Sequence, residues 1–382
     1  MRILHVLRSL SPVEGGVREA VLQFARSHLE VGDIVEVLCQ DDPRSSFLEG
    51  LPFPINALGA GGLGRFGLSM KLWRWLNENV RAFDGVVMNG IWTFPSLAVH
   101  SAALRASKPY VIFPHGSLDP WFNREYKLKH LKKAIYWKLQ YPVLRDAAAV
   151  LFTTSIEEKL ATESFSPNKW KSAVVSLGIG EPTGEPGEQI EAFYRILPHL
   201  EKKRHLLFLA RINAKKGCDL LLRAFAKIAP TVPDLDLVIA GPDEKGLTAK
   251  LQDICSAIGV SHRVHWPGIL VGAAKWGAIR TCDAFVLPSH QENFGIAVVE
   301  SLAMGRPVLI SNQVNIWQQI HATGAGVVEE DTLDGTARLL KAWCSLSENR
   351  KIEMAAAARR CYLSEFASSK LAQILDGAFL RC

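Results

Sequence analysis

The sequence predicts an α/β protein built from two doubly wound domains. Short β-branched runs alternate with longer helical patterns, and the alternation breaks once in a Gly/Pro-dense stretch and then restarts. A length of 382 residues agrees, being too long for one ordinary core and suited to two domains of about 150 to 200 residues.

In the first half the strand signals are RILHVL, IVEVLC, DGVVMN, PYVIFPH and AAVLFTT, with a helix from about Val17 to Leu29 after the first. The stretch 176–189, SLGIGEPTGEPGEQ, packs Gly and Pro with Glu and has no periodicity, so it reads as a linker. Strands HLLFLAR, LDLVIAG, RVHWPG, AFVLPS and VLIS then follow, with a helix through DLLLRAFAKIA. The expected domains are 1–180, a linker region 181–198, a second domain 199–362, and a last helix 363–382 that packs back on the first domain. Two such domains facing across a cleft place their post-strand loops around a ligand, so sites are sought just after strands.

Composition excludes several classes. At 48% hydrophobic and 21% charged the chain can bury a core, which excludes a mostly disordered protein. The first residues, MRILHVLRSL, are interrupted by His5 and Arg8 and read as a first strand, not a signal peptide. No segment has about 18 uninterrupted apolar residues, so no span is expected. Seven scattered cysteines without a CxxC pair argue against a disulfide framework and a zinc site and point to a reducing cytoplasm. A net charge of +6 suits an anionic ligand or surface.

The most informative stretch is HQENFGIAVVESLAMGRP, 290–307. A strand ends near Pro288, HQEN is loop, Gly295 admits the chain to a helix, and Gly305 and Pro307 end it. Glu292 precedes the helix and Glu300 lies within it, sharing at about 100° per residue a face with Ile296, Ala297 and Met304. Such a carboxylate needs a polar partner, and the helix N-terminus beside Glu292 suits a phosphate. The bland reading is a loop carboxylate and a capping or surface residue. Arg211 and Lys216 follow a strand five residues apart, able to converge on a diphosphate or to lie on a solvated loop.

Three further places stand out. Gly15 and Gly16 sit between a strand and a helix, where backbone can approach a phosphate or simply turn; a full GxGxxG is absent. His115 follows a strand, a favoured place for chemistry, although a lone histidine is commonly structural, and nearby Asp119 reads as a turn residue before Pro120. In 121–146, Arg124, Lys127, Lys129, Lys132, Lys133 and Lys138 interleave with Tyr126, Tyr136, Trp137 and Tyr141, while Leu128, Leu131, Ile135 and Leu139 recur at helical spacing. That pattern fits an anionic membrane surface or a packed helix with a solvated cationic face; no recognition motif supports nucleic acid. DLD at 234–236 reads as a turn leading into a strand and not as a metal clamp.

The run ENFGIAVVESLAMGRPV resembles the E-x7-E signature of retaining glycosyltransferases of family 4, whose two-lobed fold is GT-B, with two Rossmann-like domains. LARINAKKG is similar to that family's Arg and Lys phosphate segment, and the resemblance runs along essentially the whole chain. It implies a retaining, metal-independent transfer of a hexose-type sugar from a nucleotide sugar to an oligosaccharide or lipid-linked acceptor, without a cofactor, in cell-surface polysaccharide or glycolipid biosynthesis. The enzyme would be cytoplasmic and peripheral on the inner face of the membrane. By resemblance, Glu300 would hold the ribose, Glu292 the transferred sugar, and Asn293, Phe294 and Gly295 would line the sugar and phosphate through backbone groups. Arg211 and Lys216 would neutralise the diphosphate, Gly15 and Gly16 would approach donor phosphates and acceptor, and His115 would approach the sugar near its reacting carbon. Leu177 stands where the family usually has Asn before Gly178, and SNQVNIWQQI lacks the frequent Gly-Gly turn. A sugar-nucleotide epimerase, a phosphorylase and a non-catalytic nucleotide-sugar-binding module remain open alternatives.

Overall fold

The computed structural model describes residues 1–125, 127–243, 246–367, 377 and 379. Tyr126, the side chain of Lys129, and 368–376, 378 and 380–382 of the expected last helix lie outside the described residues. The chain divides into two compact units, Met1–Gly178 with Gly377 and Phe379, and Ile179–Ala367.

The first unit has a seven-stranded parallel sheet: β1 (Arg2–Val6), β2 (Ile34–Cys39), β3 (Ile55–Ala57), β4 (Gly85–Asn89), β5 (Tyr110–Phe113), β6 (Ala149–Phe152) and β7 (Ser172–Val174). Their spatial order is β3-β2-β1-β4-β5-β6-β7. β4, β5 and β6 are buried at every position because helices cover both faces, which is why their sequences are apolar runs without alternation. In β2 the pleat sends Val35 and Val37 to one face with Val21, Leu22 and Ala25, and Leu38 to the other with Leu72, Leu76 and Val99. At the start of β4, a Cβ on Gly85 would lie 2.7 Å from Phe379 Cε1, so a side chain at 85 would displace that ring.

The second unit has a six-stranded parallel sheet: β8 (Arg204–Leu209), β9 (Leu235–Ala240), β10 (Val264–Gly268), β11 (Ala284–Leu287), β12 (Val308–Ser311) and β13 (Gly326–Glu329), in the order β10-β9-β8-β11-β12-β13. In each unit the strand order reverses once, between β1 and β4 and between β8 and β11, and loops leaving those strands' C-terminal ends meet at the reversal.

Part of the expected linker 181–198 is not a linker. Pro186–Ile196 is a helix packed on the helix Gly272–Thr281, with Gln189 and Phe193 buried. Pro186 takes the first turn, where its missing N–H costs nothing, so the Gly/Pro density marks a helix start. Of the stretch expected to begin a last helix at 363, Leu363–Phe366 belongs to a π-helical turn, Tyr362–Phe366, of the second unit. Phe366 meets Phe294 edge-on at 5.8 Å, and Tyr362 donates to the Ile179 carbonyl at 2.6 Å. Asp236 of the DLD segment is buried on β9 beside Lys203, His265 and Arg263.

The helix Lys127–Arg145 has two unlike sides. Trp137, Gln140, Val143 and Leu144 are buried, and Gln140 accepts from the Trp92 N–H at 3.0 Å. On the opposite side Leu128, Leu131, Ile135 and Leu139 are 81%, 61%, 68% and 59% exposed. Arg124, Lys127, Lys132 and Lys138 are exposed beside them, whereas Lys133 is half-buried with its ammonium 4.7 Å from the Trp92 ring centre. Lys133 therefore leaves the expected patch, because a cation–π contact draws it inward. No helix among the described residues is long and apolar enough to cross a membrane.

Candidate active site

In the second unit the loops after β8 and β11 are stitched together by backbone. The His290 N–H and the Ser289 hydroxyl both donate to the Lys215 carbonyl, at 2.8 and 3.0 Å, and the Lys215 ammonium donates to Gln291 Oε1 at 2.7 Å. Gly217 sits left-handed at φ +67°, where a Cβ would come 2.1 Å from the Pro288 carbonyl oxygen, so only glycine lets the loops close.

That closure brings Lys216 to Glu292, and the two side chains form a direct ion pair. Lys216 is 4% exposed, which excludes the solvated-loop reading for it. Burial by itself would raise the Glu292 carboxyl; the charges of Lys216 and Lys215, the hydrogen bond from Lys216, and the charge of Arg211 outweigh it and hold Glu292 below the usual carboxylate range. The backbone of Glu292 is fixed from the other side, its N–H donating to Gln313 and its carbonyl accepting from Asn315, each at 3.0 Å. The segment that departs from the family's Gly-Gly turn is thus what holds Glu292.

Gly295 caps the helix Ile296–Ala303 at φ +77°, with Phe294 buried before it. Glu300, on the second turn, is buried, and Lys275 donates to its Oε1 at 2.6 Å. Lys275 is the polar partner that the helix pattern demands, yet nothing in the sequence names it, because it lies on the separate helix Gly272–Thr281.

In the first unit Gly15 adopts φ +58° and ψ −118° and begins the helix Gly16–Glu30, a conformation that side-chain-bearing residues avoid. His115 is itself left-handed at φ +50°, an uncommon backbone for a residue with a side chain. Its turn is clamped by Glu157, a buried carboxylate that accepts from the Gly116 and Thr153 N–H groups at 2.7 Å each and the Thr153 hydroxyl at 2.8 Å. His115 Nε2 lies 3.2 Å from Asn89 Oδ1, and burial lowers the imidazole to a pKa of about 4, so it is neutral near pH 7. Asp119 accepts from the Trp121 N–H at 2.8 Å, as a turn residue does. Asn89 and Glu157 escape sequence reasoning because each acts from a different strand or helix end.

Known proteins resemble this chain in sequence and in fold. Residues 15–178 match the Glycosyl transferase 4-like domain and 189–360 match Glycosyl transferases group 1. A D-inositol 3-phosphate glycosyltransferase of Stackebrandtia nassauensis is 26% identical over 81% of this chain and 75% of its own. A GDP-mannose:cellobiosyl-diphosphopolyprenol alpha-mannosyltransferase of Xanthomonas oryzae is 24% identical over 91% and 89%. Anabaena HepE, solved with UDP and glucose, superposes with a TM-score of 0.80 at 17% identity over all of both chains. The chain belongs to the family 4-like glycosyltransferases of GT-B type.

Proposed function

We propose that this glycosyltransferase is retaining and metal-independent, and passes a hexose-type sugar from a nucleotide sugar to an oligosaccharide or lipid-linked acceptor in cell-surface polysaccharide or glycolipid biosynthesis. The observation that carries this reading is the ion pair between buried Lys216 and half-buried Glu292, with Lys215 and Arg211 contributing to the same field. An ionised Glu292 accepts hydrogen bonds from sugar hydroxyls, and the cations neutralise a diphosphate as it leaves, the task a metal would otherwise perform. The leaving diphosphate then takes the acceptor's proton on the face it vacates, so the new bond forms on that face and the anomeric configuration is kept. Glu300, oriented by Lys275, holds the ribose hydroxyls; Gly15, Gly16 and His115 serve the donor as the family resemblance assigns them. The Xanthomonas relative, whose name specifies a diphosphopolyprenol-linked acceptor, favours a lipid-linked acceptor here.

Product analysis tests the chemistry. With a nucleotide sugar, an acceptor and excess EDTA, transfer is expected to proceed, and proton NMR at early times is expected to show the donor's anomeric configuration in the product. An inverted product, or an absolute need for a divalent cation, contradicts the reading.

The reading extends to the cytoplasmic face of an anionic membrane. The exposed ridge Leu128, Leu131, Ile135 and Leu139, bordered by Lys127, Lys132 and Lys138, supports it, since one side of that helix already packs into the unit while the apolar ridge remains uncovered.

A further inference from the structure

Asn89 ends β4 between two histidines. Its Nδ2 lies 3.3 Å from the Val87 carbonyl, 3.5 Å from the Val6 carbonyl and 3.5 Å from His5 Nδ1. Its Oδ1 lies 3.2 Å from His115 Nε2. An amide has one donor end and one acceptor end, and turning this one over would aim its oxygen at two carbonyl oxygens. The carbonyls of β1 and β4 therefore fix which end faces His115, and that end is an acceptor.

We propose that Asn89 is a positioning residue that locks His115 as the Nε2–H tautomer, leaving Nδ1 as the hydrogen-bond acceptor for a hydroxyl of the bound sugar. The proposal rests on the assignment of His115 to the donor sugar. Two features keep the imidazole from escaping this choice. Its burial holds it neutral near pH 7, so a single proton must be placed on one nitrogen, and Asn89 places it. The ring stacks on Phe113 at 5.5 Å, while Glu157 clamps the following residue through the Gly116 N–H, so both plane and backbone are restrained. The titratable groups around the pair are His5, behind Asn89 and itself neutral because burial and His28 lower it to about 3, and Glu157, whose carboxylate is engaged by backbone and hydroxyl donors. A tautomer fixed in this way determines what His115 can recognise: an acceptor nitrogen takes a hydroxyl proton and rejects a carboxylate or phosphate oxygen.

The test is a long-range proton–nitrogen correlation spectrum of 15N-histidine-labelled protein, with His115→Gln identifying the His115 signals. The wild type is expected to show one tautomer, protonated at Nε2. Asn89→Leu is expected to give a mixture or the opposite tautomer and a fall in kcat/KM of about tenfold, the size of one lost hydrogen bond. Asn89→Asp, which keeps the acceptor, is expected to keep Nε2–H, restore the pattern lost in Asn89→Leu, and raise the pKa of His115 through the added charge. This second variant also stands if Asn89→Leu fails to fold. A wild-type signal protonated at Nδ1, or Asn89→Leu with an unchanged tautomer, would overturn the proposal. Turnover by His115→Gln at the wild-type rate would instead remove His115 from the donor sugar and leave the tautomer result standing, so the two failures are distinct.

Discussion

Lys216→Ala is expected to lower kcat by roughly 10²–10³-fold, the range seen when one preorganised electrostatic group is taken from a developing negative charge. The expectation follows from where the sequence puts the lysine. LARINAKKG leaves β8, turns at Gly217, and delivers Lys216 into a buried position against Glu292, so the ammonium is fixed before any ligand arrives and need not reorganise during transfer. Its loss also acts on Glu292. The carboxyl is held low by Lys216 more than by Lys215 or Arg211, so removing Lys216 raises it. A carboxyl with a depressed folded-state pKa contributes stability above its unfolded value and loses it as pH falls through the folded one. With that depression reduced, the contribution shrinks, and its loss still begins near the unfolded value but is complete at a higher pH, so Lys216→Ala is less stable near neutrality and loses less stability on acidification. Steady-state kinetics with calorimetric nucleotide binding separate the effects: kcat falls far more than affinity. Unchanged turnover together with unchanged binding would remove Lys216 from the chemistry.

Replacing Leu131 and Ile135 together by Glu is expected to abolish binding to anionic vesicles. Fully burying a side chain of this kind is worth about 1.5–3 kcal/mol, so withdrawing two from the acyl boundary costs about 3–6 kcal/mol, more than a hundredfold in partition. Neutralising Lys127 and Lys132 costs about 1 kcal/mol each, and that share fades as salt rises. The two sets therefore differ in a readable way: the apolar pair weakens vesicle sedimentation at every ionic strength, the lysines mainly at low salt. Because Leu131 and Ile135 are exposed, the double variant is expected to melt with the wild type. Unaltered sedimentation would make this ridge a surface without a lipid partner.

The sequence makes the interior of the fold legible and its margins obscure, for physical reasons. β4, β5, β9 and β11 are buried along their whole length, so apolar residues dominate them and they stand out as runs in spite of Asn89 and Asp236. β3, β7 and β13 span three or four residues at sheet edges, are mostly half-exposed, and leave no pattern to read. The linker reading fails at Pro186 because the same residue that breaks a helix interior also favours its first turn.

At the candidate site, Glu292, Glu300, Arg211 and Lys216 are visible because they fall in two contiguous motifs. Lys275, Asn89 and Glu157 are not, since each meets its partner across 25, 26 or 41 positions and from a different element. The helix Lys127–Arg145 shows an intermediate case. Its amphipathic spacing is plain in the sequence, but which side packs inward is decided by Trp137, Gln140 and the Trp92 loop, and that decision leaves the leucines outside.

The Lys275–Glu300 and Lys216–Glu292 pairs are proposed to form a nucleotide-sugar site. Thermal shift of the wild type and Glu300→Ala against UDP, GDP, ADP and their common sugar conjugates, without metal, tests it most directly. One nucleotide series is expected to stabilise the wild type, by about 2.7 kcal/mol at a hundred times its Kd, and Glu300→Ala is expected to lose that stabilisation. Equal stabilisation of both proteins by the same nucleotide would contradict it.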